Sequence, residues 1–321
     1  MRKGFGRLLA AFVLLWAGVA AHANTYSNLF IFGDSLSDTG NILTLTGGAT
    51  PAAPYFNGRF SDGPVWAEYL AAGLGLPNGG RASLQGGTDF AFGGARTSGG
   101  SIPSVLSQVG SFAGGLPTLD PNALYVLVAG GNDMRDARSA FPTMDAAGAA
   151  GRLAAATTAA NNLRTAITQL AAKGARNILV SSLPDLGNTP EAVGLNLVAP
   201  STDASLQFNL QINGLLGWGT SQGLHMSFLD MAGVANAIRN DALNNGGATY
   251  GILNVQTPCG AFQGSIGISC SVSAFSDALH PSARAHQLIG MAALAAVPEP
   301  ATWLLMAAGA MTLLAARRRR A

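Results

Sequence analysis

Residues able to do covalent chemistry fall into four short segments of the chain. In Asp277-Ala278-Leu279-His280-Pro281 a carboxylate precedes an imidazole by three residues. Across a turn, that spacing can bring Asp277 onto Nδ1–H of His280 and leave Nε2 free to take a proton. A lone histidine is more often structural. Of His225, His280 and His286, the three beyond residue 24, only His280 has a carboxylate at useful spacing. In Phe32-Gly33-Asp34-Ser35-Leu36-Ser37-Asp38-Thr39-Gly40-Asn41, Ser35 follows an apolar run and can present its hydroxyl to a cleft. Phe92-Gly93-Gly94-Ala95 offers backbone N–H groups that a substrate can approach closely. Gly130-Gly131-Asn132-Asp133 offers a neutral amide suited to a developing negative oxygen. Singly, each has a plainer reading as a loop serine, a glycine turn or an Asn/Asp turn former. Jointly they supply a nucleophile, a base, an acid to orient the base and donors for an oxyanion. Those are the parts of acyl transfer through a covalent serine intermediate.

Such segments need a framework that brings them together. Short apolar runs at 29–32, 90–92, 123–128, 177–180 and 225–229 read as strands, several closed by glycine. Helical spacing marks 65–74, 146–172 and 282–295, with Leu153, Leu163, Ile167 and Leu170 as the packing residues of the long Ala-rich helix. This alternation predicts an α/β domain, a parallel sheet with helices on both faces. Sites in such sheets form at the carboxyl ends of the strands, where Ser35, Gly94 and Asn132 all fall.

Composition narrows the function. Of the 321 residues 48% are hydrophobic, so a sizeable core is available and wholesale disorder is excluded. Seven of the 18 basic residues lie at the extreme ends, leaving 11 Lys/Arg against 15 Asp/Glu in 24–297, a formal net charge of −4. With no basic stripe inside that span, nucleic acid is not an expected partner. Cofactor patterns fail as well. The start at Gly73-Leu74-Gly75 has Asn78 where a third glycine is required, and Asp34, Ser35 and Asp38 do not complete a calcium loop. A rival nucleophile, Ser221 in Gly219-Thr220-Ser221-Gln222-Gly223, sits in a helix–turn–strand context, whereas the nucleophile elbow needs strand, turn, helix.

The four segments, in this order, resemble the GDSL family of SGNH hydrolases over nearly all of residues 28–296, together with Gly58-Arg59-Phe60-Ser61-Asp62-Gly63-Pro64 and Leu183-Pro184-Asp185-Leu186-Gly187. The resemblance implies a three-layer α/β/α sandwich around a parallel five-stranded sheet. It implies Ser35 as nucleophile and His280 as general base, with Asp277 orienting the base. The oxyanion hole it implies is built from Ser35 N–H, Gly94 N–H and the Asn132 amide. One departure is Asp89, where the family usually has asparagine shortly before the glycines. The implied activity is an exported serine esterase or lipase acting on carboxylic esters, with no cofactor and no metal. Acyltransfer or exopolysaccharide O-deacetylation at the same site, or a non-catalytic matrix protein on the same fold, are the alternatives.

Both ends read as addresses. Residues 1–23 have a basic start, an apolar run at 8–20 and an Ala21-His22-Ala23 cleavage site, so a signal peptidase should release a chain beginning at Asn24; an uncleaved membrane anchor is the alternative. Residues 297–321 run from Val297-Pro298-Glu299-Pro300 through an apolar stretch to four arginines, a stop-transfer pattern. That tail resembles the PEP-CTERM sorting signal of Gram-negative bacteria. It implies transient anchoring in the inner membrane, an exosortase-type partner and display at the cell surface or beyond. The expected catalytic domain is 24–296. In an oxidising compartment its two cysteines, Cys259 and Cys270, can form a local disulfide; two free thiols are the alternative.

Overall fold

The computed structural model describes residues 26–262 and 267–297. The expected signal peptide and everything beyond Val297 lie outside the described residues. Among those described, no helix is long and apolar enough to cross a membrane.

The chain opens with β1 (Leu29–Gly33), followed by α1 (Asn41–Leu45), α2 (Trp66–Gly73) and α3 (Val105–Gly114). Then come β2 (Leu124–Val128), α4 (Gly131–Ala140), α5 (Ala146–Ala172) and β3 (Asn177–Ser181). After α6 (Pro190–Gly194) and α7 (Val198–Ser221) the chain forms β4 (His225–Leu229), α8 (Met231–Asn245), a small pair β5 (Asn254–Pro258) and β6 (Ser273–Phe275), and α9 (Ala283–Ala296). Ser104, Asp145, Asp230 and Ser282 cap α3, α5, α8 and α9 by accepting a backbone N–H of the first turn, which satisfies donors the helix leaves open.

β1 to β4 form one parallel sheet in sequence order. Every residue of β2 is buried, as a central parallel strand covered on both faces must be. Tyr125 and Leu127 join a core with Val109, Leu163, Ile178 and Phe208, beneath α3, α5 and α7. Leu124, Val126 and Val128 alternate to the opposite face, where α9 packs against α2: a Cβ on Gly290 would meet Tyr69 at 2.5 Å. The architecture is therefore the three-layer α/β/α sandwich.

Two expectations change in detail. The run at 90–92 is a hydrogen-bonded edge segment and not a regular strand, so the sheet has four regular strands plus this strip. Ile31 N–H donates to Thr88 O (3.1 Å), and Phe90 N–H (2.7 Å) and Phe92 N–H (3.2 Å) donate back to β1. Its outer carbonyls, Asp89 O and Ala91 O, both accept from the Asn41 amide at 2.8 Å, and Ala91 N–H turns onto the Asp89 carboxylate. Side chains thus do what a neighbouring strand would, and the ladder stays irregular. Leu153 is 42% exposed, while Leu163, Ile167 and Leu170 are buried. Ten residues at about 100° each leave Leu153 roughly 80° off the buried stripe, which Ala156, Ala159 and Ala160 occupy.

Gly130, at the turn from β2 into α4, has φ +108°, and a Cβ there would meet the Phe208 ring at 2.4 Å. Gly130→Ala therefore combines backbone strain with overpacking and should lose about 2–5 kcal/mol of stability in urea denaturation. A loss under about 0.5 kcal/mol, the range of an ordinary surface substitution, would show that the turn relaxes freely.

Candidate active site

The carboxyl end of β1 delivers Ser35. Gly33 at the strand end has no room for a side chain, since a Cβ would lie 2.5 Å from Val128 O. Its N–H and C=O are both held by the Gln108 side chain at 2.9 Å. The chain then turns tightly, with Ser37 N–H and Asp38 N–H both donating to Asp34 O. Ser35 Oγ lies 2.9 Å from His280 Nε2, and His280 Nδ1 lies 2.6 Å from Asp277 Oδ2. A carboxylate only accepts, so the proton between them sits on Nδ1, and Nε2 is left to accept from the serine hydroxyl.

Asp277 is held on every side. Its Oδ1 accepts from Leu279 N–H (2.7 Å) and His280 N–H (2.6 Å), and its Oδ2 from His280 Nδ1–H and the Tyr55 phenol (2.5 Å). Burial alone would push this carboxyl up, but the hydrogen bonds and charge of His280 and the Tyr55 bond outweigh it and hold Asp277 well below the usual carboxylate range. The loop carrying it is pinned from outside as well. Ser276 Oγ donates to Asp62 Oδ1 (2.8 Å), Ser276 N–H to His280 O (2.9 Å), and Glu191 N–H to Ala278 O (2.7 Å).

The expected oxyanion donors lie after β1, on the strip beside it and on α4, and Ser35 and Asn132 line one pocket. Gly93 N–H is taken by Asp38 Oδ2 at 2.7 Å, whereas neither Gly94 N–H nor Ser35 N–H has an acceptor among the described residues. Gly94 has φ +82°, a conformation that glycine adopts without cost. Asp38 also accepts from Gly40 N–H and Asn41 N–H, so one buried carboxylate ties the loop after Ser35 to the glycine strip. Asn132, in the first turn of α4, donates one amide hydrogen to Ala95 O (2.9 Å) and accepts from Arg135 (3.1 Å). This fixes the amide so that its second hydrogen remains available. Glu191 in turn grips Arg135 and Arg138.

The other candidates lie elsewhere. His286 is fully buried with Nδ1 accepting from Trp66 N–H (3.2 Å); burial, and secondarily the charge of His280, pushes it down to about 3. His225 is exposed on β4 against Asn177. Ser221 ends α7 with its hydroxyl on Trp218 O. Cys259 and Cys270 are joined by a disulfide. Asp38, Arg135, Glu191 and Tyr55 were not singled out as site residues. Only Asp38, inside the serine segment, carried a local signal; Tyr55 lies 222 residues from its partner. Ser35, Asn132 and His280 open onto a pocket whose walls are mainly apolar, among them Leu183, Leu186, Ile238, Val255, Phe275 and Ile289.

The chain belongs to the GDSL-like lipase/acylhydrolase family, whose model matches residues 29–293. The PEP-CTERM protein-sorting motif matches residues 296–320. A Pseudomonas putida uncharacterized protein of the trpE-trpG intergenic region is 33% identical over 231 residues, 65% of this chain and 37% of that protein. The phosphatidylcholine-sterol acyltransferase of Aeromonas hydrophila is 31% identical over 223 residues, 65% of this chain and 59% of that enzyme. The matched region thus spans less than two thirds of either relative. A solved carbohydrate acetylesterase from Sinorhizobium meliloti is 18% identical, with a TM-score of 0.46 over 84% of this chain and 96% of that one.

Asp34, beside the serine, is 2% exposed, and burial pushes its carboxyl up to about 6 although Leu36 N–H donates to it. An unfolded carboxyl titrates near pH 3.9. Between those values the folded state holds the extra proton, so this group's contribution to stability falls as pH rises through the window. Above it the fold carries a buried charge. Asp34→Asn should therefore be more stable than the parent at pH 7.5, by about 2–3 kcal/mol, with the gap closing below about pH 4. Urea titrations at the two pH values check this; a gap independent of pH would remove the titration of Asp34 as its cause.

Proposed function

We propose that the protein is an exported serine esterase of lipase type, hydrolysing carboxylic esters whose acyl group is apolar. The observation that carries the reading is the unbroken chain from Ser35 Oγ through His280 to Asp277, opening onto an apolar pocket. Ser35 attacks the ester carbonyl as its proton passes to His280 Nε2, and Asp277 stabilises the imidazolium that forms. Ser35 N–H, Gly94 N–H and the free Asn132 amide hydrogen receive the oxyanion. The intermediate collapses, His280 returns the proton to the departing alcohol, and an acyl-serine remains. Water, deprotonated by the same imidazole, then releases the acid. An alcohol in place of water would give acyl transfer. The similarity to an enzyme named as an acyltransferase favours this second reading.

The address of the enzyme follows from its ends. Residues 1–23 serve as the signal peptide, 24–296 as the catalytic domain and 297–321 as the sorting segment, with the motif match at 296–320 in support. On this reading signal peptidase and an exosortase-type enzyme are transient partners, the tail holds the precursor at the inner membrane, and the product reaches the cell surface.

Hydrolysis of p-nitrophenyl esters by the purified protein tests the assignment. Ser35→Ala should cut kcat by about 10⁴-fold or more, and Asn132→Ala by about 10²–10³-fold with a smaller effect on KM. Turnover that survives Ser35→Ala would sink the mechanism. Across the acyl series, kcat/KM should rise from acetyl by up to about fourfold per added methylene while the pocket fills, from about 0.8 kcal/mol per buried CH₂. A flat or falling series would remove the apolar pocket as the acyl site and point to deacetylation.

A further inference from the structure

Tyr55 belongs to the loop between α1 and α2, outside every motif that suggests chemistry and 222 residues from Asp277. Its phenol nevertheless donates to Asp277 Oδ2, the oxygen that also receives His280 Nδ1–H. Two aromatic contacts hold it there, and one of them leads on to the base. The Tyr55 ring meets the edge of Phe262 at 4.8 Å and tilts against Phe60 at 5.9 Å, and Phe60 lies 5.3 Å from the His280 ring. Phe262 closes the short helical turn Gly260–Phe262 directly after Cys259, which is tied to Cys270 by the disulfide and to Phe275 O by its N–H. Burial, the bond to Asp277 and the charge of Asp277 all raise the phenol, so it stays protonated and remains a donor throughout the working range.

Resting on the reading of Ser35, His280 and Asp277 given above, we propose that Tyr55 is a positioning residue of this site, sharing Asp277 Oδ2 with His280 and so setting how strongly the carboxylate holds the imidazole. The argument is one of competition. A donor on the same oxygen fixes where that oxygen lies, and it spreads the carboxylate's charge. Without the phenol, Oδ2 bonds His280 alone. The carboxylate loses one fixed point, and its undiluted charge favours the protonated imidazole. The first effect slows the chemical step; the second lets the inactive imidazolium persist to higher pH. The groups whose charge couples to His280, the carboxylates of Asp34 and Asp277 and the imidazole of His286, are unchanged by a substitution at Tyr55.

Tyr55→Phe keeps the ring and its aromatic contacts and deletes only the donor. Measured with the parent and Ser35→Ala on one p-nitrophenyl ester, it should lower kcat about tenfold with KM unchanged. It should also move the acidic limb of the kcat profile up by about half a pH unit to one unit. A second reading needs no substrate: the low-field proton NMR resonance of His280 Nδ1–H should move further downfield as its bond to Oδ2 tightens. Phe262→Ala, which loosens the ring but keeps the phenol, should move the limb the same way by less. Parent-like kcat, acidic limb and resonance in Tyr55→Phe overturn the proposal. So does a Tyr55→Phe protein that no longer folds, which would put the phenol in the structural framework alone. If the resonance moves but turnover does not depend on Ser35, the Tyr55–Asp277 coupling stands and the catalytic reading of the site fails.

Discussion

A carboxylate taken out of water needs a donor for each lone pair it turns inward, and the site is organised around that need at Asp277. Two backbone N–H groups, an imidazole and a phenol meet it. The backbone pair comes from the loop itself and curls the chain so that His280 follows Asp277 back toward the serine. The phenol comes from the far side of the site. Because the carboxylate is saturated, the imidazole has one orientation available, and it is the one that aims Nε2 at Ser35. The pins on this loop from Ser276, Asp62 and Glu191 keep that geometry from spreading.

The electrophilic side is built on the same logic with different groups. Asp38 takes up the Gly93 N–H and leaves the Gly94 N–H unused, so one buried acid separates a structural donor from an available one. Arg135 occupies the Asn132 oxygen, and one amide hydrogen is left without a partner among the described residues. Glu191 joins the two halves: its side chain holds Arg135 and its backbone N–H holds the loop of the base. The Asn132 side and the histidine side are thus positioned by one shared residue.

Much of this framework was legible because parallel strands are short, apolar and punctuated by glycine. The bounds of β4 and α5 coincide with the runs read from sequence, and those of β1, β3 and α9 differ by a residue. α7 escaped, although its buried residues recur at helical spacing, because Pro200 and three glycines blur the pattern. The strip at 90–92 read as a strand since its apolar alternation is real, while its irregularity comes from the distant Asn41 side chain. The same limit governs the site. Residues inside a motif were visible; Tyr55, Arg135 and Glu191 act through partners brought close only by folding, and nothing in their neighbours announces it.

The contact between Ser35 and His280 spans 245 residues, nearly the whole of the described domain. A partly folded chain can hold β1 and its serine without the His280 imidazole within reach. The serine and the imidazole therefore meet only when both ends of the described domain are folded together.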